Sequence, residues 1–301
     1  MALLAAALAL GSAWAAPPQV VSELTVAQVT TVDGKTVLRP APVSKPGDIL
    51  EYRARYTNRS AAAVLGLVAN LPIPAGTTLV DRSQIPPDAL ASTDSTHFAP
   101  LPLTRATRLA DGSEQRVLVP IEEYRALRWS LGTLPPGGSA QVQARVRVND
   151  IRFPELIMKN PIIHLSSSAR RSQGGWLRRT WLTAGLLLAA INGAQAVPPP
   201  AGTTIGNQAS ATYTDTSGVS HTVTSNVVQT TVQQVASLTL TQNGAQNATA
   251  GSVAYYPHTL TNTGNGSDTF NLTTGNSGGF TMTAVQIYAD NGSGQPTGSP
   301  I

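Results

Sequence analysis

Between Leu50 and Thr57 apolar and polar side chains alternate. Leu50, Tyr52, Ala54 and Tyr56 fall on one face, and Glu51, Arg53, Arg55 and Thr57 on the other. An extended chain puts successive side chains on opposite sides, so a period of two predicts a strand with one dry and one wet face. The stretch Gln141–Val148 repeats the pattern, with Val142, Ala144, Val146 and Val148 inward and Gln141, Gln143, Arg145 and Arg147 outward. Half-buried strands of this kind suit an antiparallel sheet, and their arginines read as solvated outer-face residues rather than a binding patch. Pro and Gly supply the punctuation, at Lys45-Pro46-Gly47-Asp48, Pro72 to Gly76, Pro86-Pro87 and Pro135-Pro136-Gly137-Gly138. Only residues 120–129 hint at a helical turn, so the pattern predicts an all-β sandwich or small barrel.

The second half continues in strands. Residues 207–215 and 220–232 predict a strand pair joined at Asp215-Thr216-Ser217-Gly218, and residues 236–244 open a further unit with Leu238 and Leu240 on one face. Gly47-x4-Tyr52-x4-Thr57-Asn58 is matched by Gly251-x4-Tyr256-x4-Thr261-Asn262, an internal repeat in which Gly starts a turn and Asn ends a strand. The second copy lacks the acidic turn residue and places Pro257 in its strand, an edge-strand feature.

One stretch breaks the pattern of two. Residues 178–196 carry an uncharged apolar run from Thr180 to Ile191, preceded by Arg170, Arg171, Arg178 and Arg179 and closed by Ala194-Gln195-Ala196. A membrane-spanning helix needs about 20 apolar residues, which this run does not reach. A basic start, a short apolar centre and a small-x-small end instead match a secretory signal. Met158-Lys159 offers it a start, and Val197-Pro198-Pro199-Pro200 an extended beginning for a mature chain. Residues 1–15, an apolar run ending Ala13-Trp14-Ala15, read as a second signal that lacks a basic front. The expectation is two exported proteins joined in one frame, with mature starts near Ala16 and Val197. A membrane anchor touching lipid through residues 180–191, or a buried core helix, is the alternative.

Charge is sparse and uneven. Of 301 residues 12% are charged, about half the usual share, with a formal net charge of +4. After residue 197 there is no Lys, Arg or Glu, and only Asp215, Asp268 and Asp290 carry charge. Without cations to meet phosphates in that half, nucleic-acid binding is discounted. There is no cysteine, so disulfides and thiolate metal sites are excluded and stability must come from buried apolar area and sheet hydrogen bonds.

Several motifs together resemble a known family. Pro46-Gly47-Asp48, the strand Tyr52 to Asn58, Leu71 to Gly76, and Trp129-Ser130-Leu131-Gly132-Thr133-Leu134 with Gly137 are similar to the conserved repeat domain of unknown function of bacterial and archaeal cell-surface proteins. The resemblance covers residues 20–150, and weakly 201–301. It implies immunoglobulin-like β-sandwich modules in an envelope protein, with no catalytic residues to carry over. The expected organisation is a signal peptide (1–15), an immunoglobulin-like module (16–150), a linker with a short helical signal-like or transmembrane-like segment (151–197), a strand pair ending a repeat unit (198–235) and a second, truncated module (236–301).

Candidate chemistry is thin. His97, His164, His221 and His258 stand without a second ligand at metal-binding spacing. No nucleophile elbow, phosphate loop or dinucleotide fingerprint occurs, and residues 292–298 (GSGQPTG) read as a turn. Glu122-Glu123 would act as acid and base only in a dry cleft. Asp290, Asn291 and Ser293 offer too few carboxylates for calcium. Asn58, Asn247, Asn265, Asn271 and Asn291 head glycosylation triplets of the kind polar sequence produces by chance. We therefore expect no enzyme, catalytic residue, cofactor or metal, but a structural or adhesive envelope protein whose partners are like modules or other envelope proteins. The alternatives are a glycan- or ligand-binding module using exposed aromatics, for which Trp129 is the one tryptophan outside the signal-like segments, and the non-catalytic part of a larger envelope enzyme.

Overall fold

The alternating stretches 50–57 and 141–148 become neighbouring central strands of one of two facing sheets. A computed structural model describes residues 19–109, 112–150, 198–241, 243–275, 282 and 284–301. Strands β1 (Val20–Val32) and β2 (Lys35–Pro40) form a hairpin closed by Asp33-Gly34. Both turn residues have positive φ, 49° and 73°, as a two-residue hairpin turn with matching twist requires. Next come β3 (Val43–Ser44), β4 (Ile49–Asn58), β5 (Val64–Pro72), β6 (Thr77–Leu79), β7 (Leu90–Ser92) and β8 (Ala99–Pro100). A ribbon of β9 (Thr104–Arg108) and β10 (Glu114–Leu118) is followed by a 3-10 turn at Ile121–Glu123, then by β11 (Ala126–Leu134) and β12 (Ser139–Val148). Beyond the signal-like segment lie β13 (Thr204–Asn207), β14 (Ser210–Thr214), β15 (Ser220–Thr224) and β16 (Val228–Val232). The chain ends in β17 (Leu238–Thr241), β18 (Thr259–Asn262), β19 (Tyr288–Asp290) and β20 (Pro296–Pro300).

One sheet runs β2-β1-β4-β12-β6, the other β15-β14-β5-β11-β7-β8, and all their pairings are antiparallel. A third, small sheet runs β13-β16-β3, with β16 parallel to β3. Leu50, Tyr52, Ala54, Tyr56, Val142, Ala144, Val146 and Val148 are all buried, and from the facing sheet Leu67, Ala69, Leu71, Leu127 and Trp129 join the same core. Burying one such aliphatic side chain stabilises by about 1.5–3 kcal/mol, so the alternation by itself selects the face each strand turns inward.

The outer face holds an exception. Glu51, on the polar side of β4, is 1% exposed. Arg145 stands opposite it on β12 and brings Nε to 2.8 Å from Oε2, while Arg53, two residues along β4, brings Nε to 2.6 Å from Oε1. Two guanidinium groups thus replace the water that a carboxylate loses on burial, which is costly for an unpaired charge. Arg53 and Arg145 are sheet ties.

Two expectations change. The stretches 207–215 and 220–232 do not form one long pair: each bends, giving β13 then β14 and β15 then β16. At the bend Ser225 Oγ accepts from the Ala209 N–H (3.0 Å), the Ser225 N–H donates to the Ala209 carbonyl (2.9 Å), and Gln208 Nε2 donates to the Ser225 carbonyl (2.7 Å). Polar side chains that bond the backbone of the opposite bend replace the ladder there and let both strands leave one sheet and enter another. These strands also join the sheets formed by residues 20–148 instead of closing a unit apart. The signal-like or membrane-anchor helix proposed for 178–196, with His164 upstream, lies outside the described residues, as does the segment 1–15. No helix among the described residues is long and apolar enough to cross a membrane.

In the last part β17 pairs with β18 as β1 pairs with β4, with Leu238 opposite Asn262 where Val20 faces Asn58. The two asparagines close the same turn. Asn58 Nδ2 donates to the Ala62 carbonyl (2.8 Å) and Oδ1 accepts from the Ser60 N–H (3.0 Å); Asn262 bonds Gly266 (2.9 Å) and Gly264 (2.9 Å) at the same offsets. Burial differs, since Tyr52 is 1% exposed and Tyr256 is 43% exposed.

Candidate functional site: sheet edges and the seam between residues 20–148 and 204–232

The polar residues with possible chemistry are engaged in holding loops. Asp94 accepts from the N–H groups of Thr96 and His97 (both 2.8 Å) and lies 2.7 Å from His97 Nδ1. That contact with His97, followed by the backbone donors and Ser92, holds its carboxyl well below the usual range. Asp215 does the same for the β14–β15 hairpin. It accepts from Ser217 Oγ (2.6 Å) and from the N–H groups of Ser217 (2.9 Å) and Val219 (3.0 Å), and meets His221 Nε2 at 2.7 Å. Here the Ser217 hydroxyl is the main cause of the lowered carboxyl pKa, with His221 next. His97 and His221 therefore do have carboxylate neighbours, brought close by turns that spacing rules for metal ligands overlook. Among the described residues no three His, Cys, Asp or Glu side chains converge as a metal site.

An NMR titration of the Asp215 side-chain carboxyl is expected to show a midpoint below the ordinary carboxylate range, and a midpoint near 4 would contradict the geometry. The sign follows from the depressed folded value. Its contribution to stability is complete above the unfolded pKa and is lost as pH falls through the folded one.

The other candidates resolve in the same way. Glu123 makes a two-pronged ion pair with Arg105 (2.8 and 3.2 Å), and so anchors the β9–β10 ribbon. Asp290 caps its own turn, accepting from the N–H groups of Gly292, Ser293 and Gly294, and residues 292–298 lead from that turn into β20. Asn58 is fully buried and Asn265 nearly so, with both amides bonded to backbone carbonyls, which removes them as glycan acceptors in the folded protein. Trp129 is 1% exposed and donates from Nε1 to the Pro86 carbonyl (2.8 Å), so it presents no face to a sugar.

The seam between the two parts of the chain is more informative. β14 lies antiparallel beside β5, with Ser210 opposite Asn70, Ala211 opposite Ala69 and Thr212 opposite Val68. β16 adds to β3, as the N–H of Thr231 donates to the Pro42 carbonyl (3.0 Å) and that of Gln233 to Ser44 (2.8 Å). Side chains extend the ladder: Tyr56 OH donates to the Ser210 carbonyl (3.0 Å), Asn207 Nδ2 to Pro72 (3.1 Å) and Thr230 Oγ1 to Ala41 (2.8 Å). Below them Ile205, Ala209, Ala211, Tyr213 and Val232 enter the same core as Leu67 and Trp129.

Asn226 is the most specific tie. β2 covers β1 only from Ala27 onward, which leaves the edge at Leu24 open. The Asn226 amide fills it, with Oδ1 accepting from the Leu24 N–H (2.9 Å) and Nδ2 donating to its carbonyl (3.0 Å). A side-chain amide here reproduces both bonds of a neighbouring strand. Asn226→Ala is expected to lower stability by about 1–2 kcal/mol, read as a shift in the urea midpoint with an unchanged slope; an unchanged midpoint would show that water serves as well.

The outer edges differ in how they are protected. β2 carries Lys35, Arg39 and Pro40, β8 is two residues ending in Pro100, and β6 is three residues long, all features that discourage pairing with another chain. β15, Ser-His-Thr-Val-Thr, has neither proline nor lysine, and among the described residues no strand pairs with its outer edge.

No family model and no curated protein matches the chain. Among solved structures it is similar to BcpA, the major pilin subunit of Bacillus cereus, at 7% identity and a TM-score of 0.30, covering 72% of this chain and 42% of that one. It is similar to a sporulation control protein from Bacillus subtilis at 8% identity and a TM-score of 0.23, covering 71% and 49%. It also resembles AvmM, which catalyses macrocyclization in alchivemycin A biosynthesis, at 12% identity and a TM-score of 0.26, covering 71% and 89%. The chain spans less than half the length of the first two. At this level the likeness is confined to β-rich architecture.

Proposed function

We propose that this is a non-enzymatic, exported structural or adhesive protein of the cell envelope, built of immunoglobulin-like β-sandwich modules and encoded as two exported polypeptides in one frame. The observation that carries the reading is the use made of polar groups. Asp94, Asp215, Glu123, Asp290 and the Glu51 triad each hold a turn or a sheet, and the exposed Ser220, Thr222 and Thr224 on the β15 edge are left for lateral contacts. The export signals read in residues 1–15 and 158–196 support the location. The partners are like modules or other envelope proteins, with surface glycans a lesser option because the tryptophan outside the signals is buried.

Two experiments test this. Protease treatment of intact producing cells is expected to release peptides of the sandwich, and their release only after lysis would place the protein elsewhere. N-terminal sequencing of the exported products is expected to find starts near Ala16 and Val197. A single uncut chain would remove the two-polypeptide reading and favour an anchor.

A further inference from the structure

We infer that the seam is an interface between two polypeptides, in which a chain beginning near Val197 donates β13–β16 to complete the sandwich of a chain covering residues 19–150. The inference rests on the two-polypeptide reading above and adds to it a partner and a binding mode. The seam contacts described above join residues 20–72 to residues 204–233, so a cut after Ala194-Gln195-Ala196 severs the covalent link and leaves those contacts in place.

Each side is incomplete alone. Without residues 204–232 the edge of β5 from Leu65 to Asn70 stands open, the backbone of Leu24 and the carbonyl of Ala41 lose their partners, and the core loses five side chains. Without residues 20–148 the four short strands β13–β16 have apolar side chains and no facing sheet. Isolated hairpins of that length are marginal in water. Charge permits the match, since β5 has no ionisable side chain and residues 204–232 carry only Asp215 and His221, which pair with each other. Recognition is therefore by strand addition, in which backbone bonds give the affinity and alternate side chains in the core give the specificity. Ala211 and Tyr213 are those side chains, and Asn226 fixes the position along β1.

The test uses the full chain with a specific protease site placed between Lys159 and Arg170. After cutting, gel filtration at about 1 μM protein is expected to give one peak that contains both fragments and elutes with the uncut chain, separating only in denaturant. In the same cut protein Asn226→Ala is expected to raise the dissociation constant about tenfold without altering either fragment's sequence at the β5–β14 pairing. Fragments that elute apart under native conditions would overturn the inference. If products beginning near Val197 are found in cells but the cut fragments separate, this inference fails alone; if no such products exist, the two-polypeptide reading fails with it.

Discussion

Trp129→Ala is expected to destabilise the sandwich by about 3–5 kcal/mol, a large part of the stability of a domain of this size. The side chain is 1% exposed on β11, between β5 and β7, in the core shared by both sheets. Truncation removes its contacts, leaves a cavity that rigid sheets cannot close, and strips the Pro86 carbonyl of the indole N–H. Urea unfolding followed by far-UV circular dichroism measures the loss. Trp129→Phe keeps most of the volume and loses the hydrogen bond, so a cost of about 1–2 kcal/mol there would separate packing from bonding. A loss under 1 kcal/mol for the alanine variant would mean that the ring is not in the core.

Asn58→Ala is expected to cost about 2–4 kcal/mol. The side chain is fully buried, and its Nδ2 lies within bonding distance of the Ala62, Leu134 and Pro135 carbonyls (2.8, 3.0 and 3.1 Å) while Oδ1 accepts from the Ser60 N–H and hydroxyl. It ties the end of β4 to the turn before β12, two strands that must lie side by side for the first sheet to form. Alanine leaves buried carbonyls unpaired, at about 1–3 kcal/mol for each group that water cannot reach. Asn58→Asp keeps the acceptor and deletes the donor, and is expected to be at least as damaging because it also buries a charge. Asn262→Ala, at the matching and exposed turn, is expected to cost less than 1 kcal/mol. Equal effects at the two positions would contradict the burial difference.

The sequence makes the central strands readable because one physical quantity, burial of alternate side chains, both selects their conformation and leaves a pattern of period two. β4 and β12 follow it residue by residue. Strands in which the pattern is partial leave a weaker mark in the sequence. β1 alternates only in its first half, where Val20, Ser22 and Leu24 are buried, and its pairing with β2 is marked by Asp33-Gly34, a hairpin turn with positive φ at both positions. The bends at Gln208 and Ser225 escape because Ser and Gln continue a polar–apolar alternation while bonding the backbone of the other bend. The seam escapes for a different reason. Pairing of β14 with β5, or of Asn226 with Leu24, depends on residues far apart in the chain, and neither side carries a mark of its distant partner. One clue exists in composition: residues 204–232 hold apolar and polar alternation with Asp215 and His221 as their one acidic and one basic residue, as befits strands that join a sheet of other strands.

Likewise the pairing of His97 with Asp94 and of His221 with Asp215 is a consequence of turn geometry. A carboxylate whose Oδ1 caps the N–H groups two to four residues ahead holds that loop tight, and a histidine near its end is carried to the other oxygen, Oδ2. Such pairs look like chemistry in isolation. Their surroundings are loops rather than clefts.

Native-state hydrogen exchange read by mass spectrometry or NMR tests most directly the claim that residues 20–148 and 204–232 share one core. Amides of β5 and β4 are expected to exchange together with those of β14, through a single opening of the same free energy. Exchange of β14 and β16 orders of magnitude faster than β5, with β5 still protected, would show that the second part merely rests on a sandwich already complete.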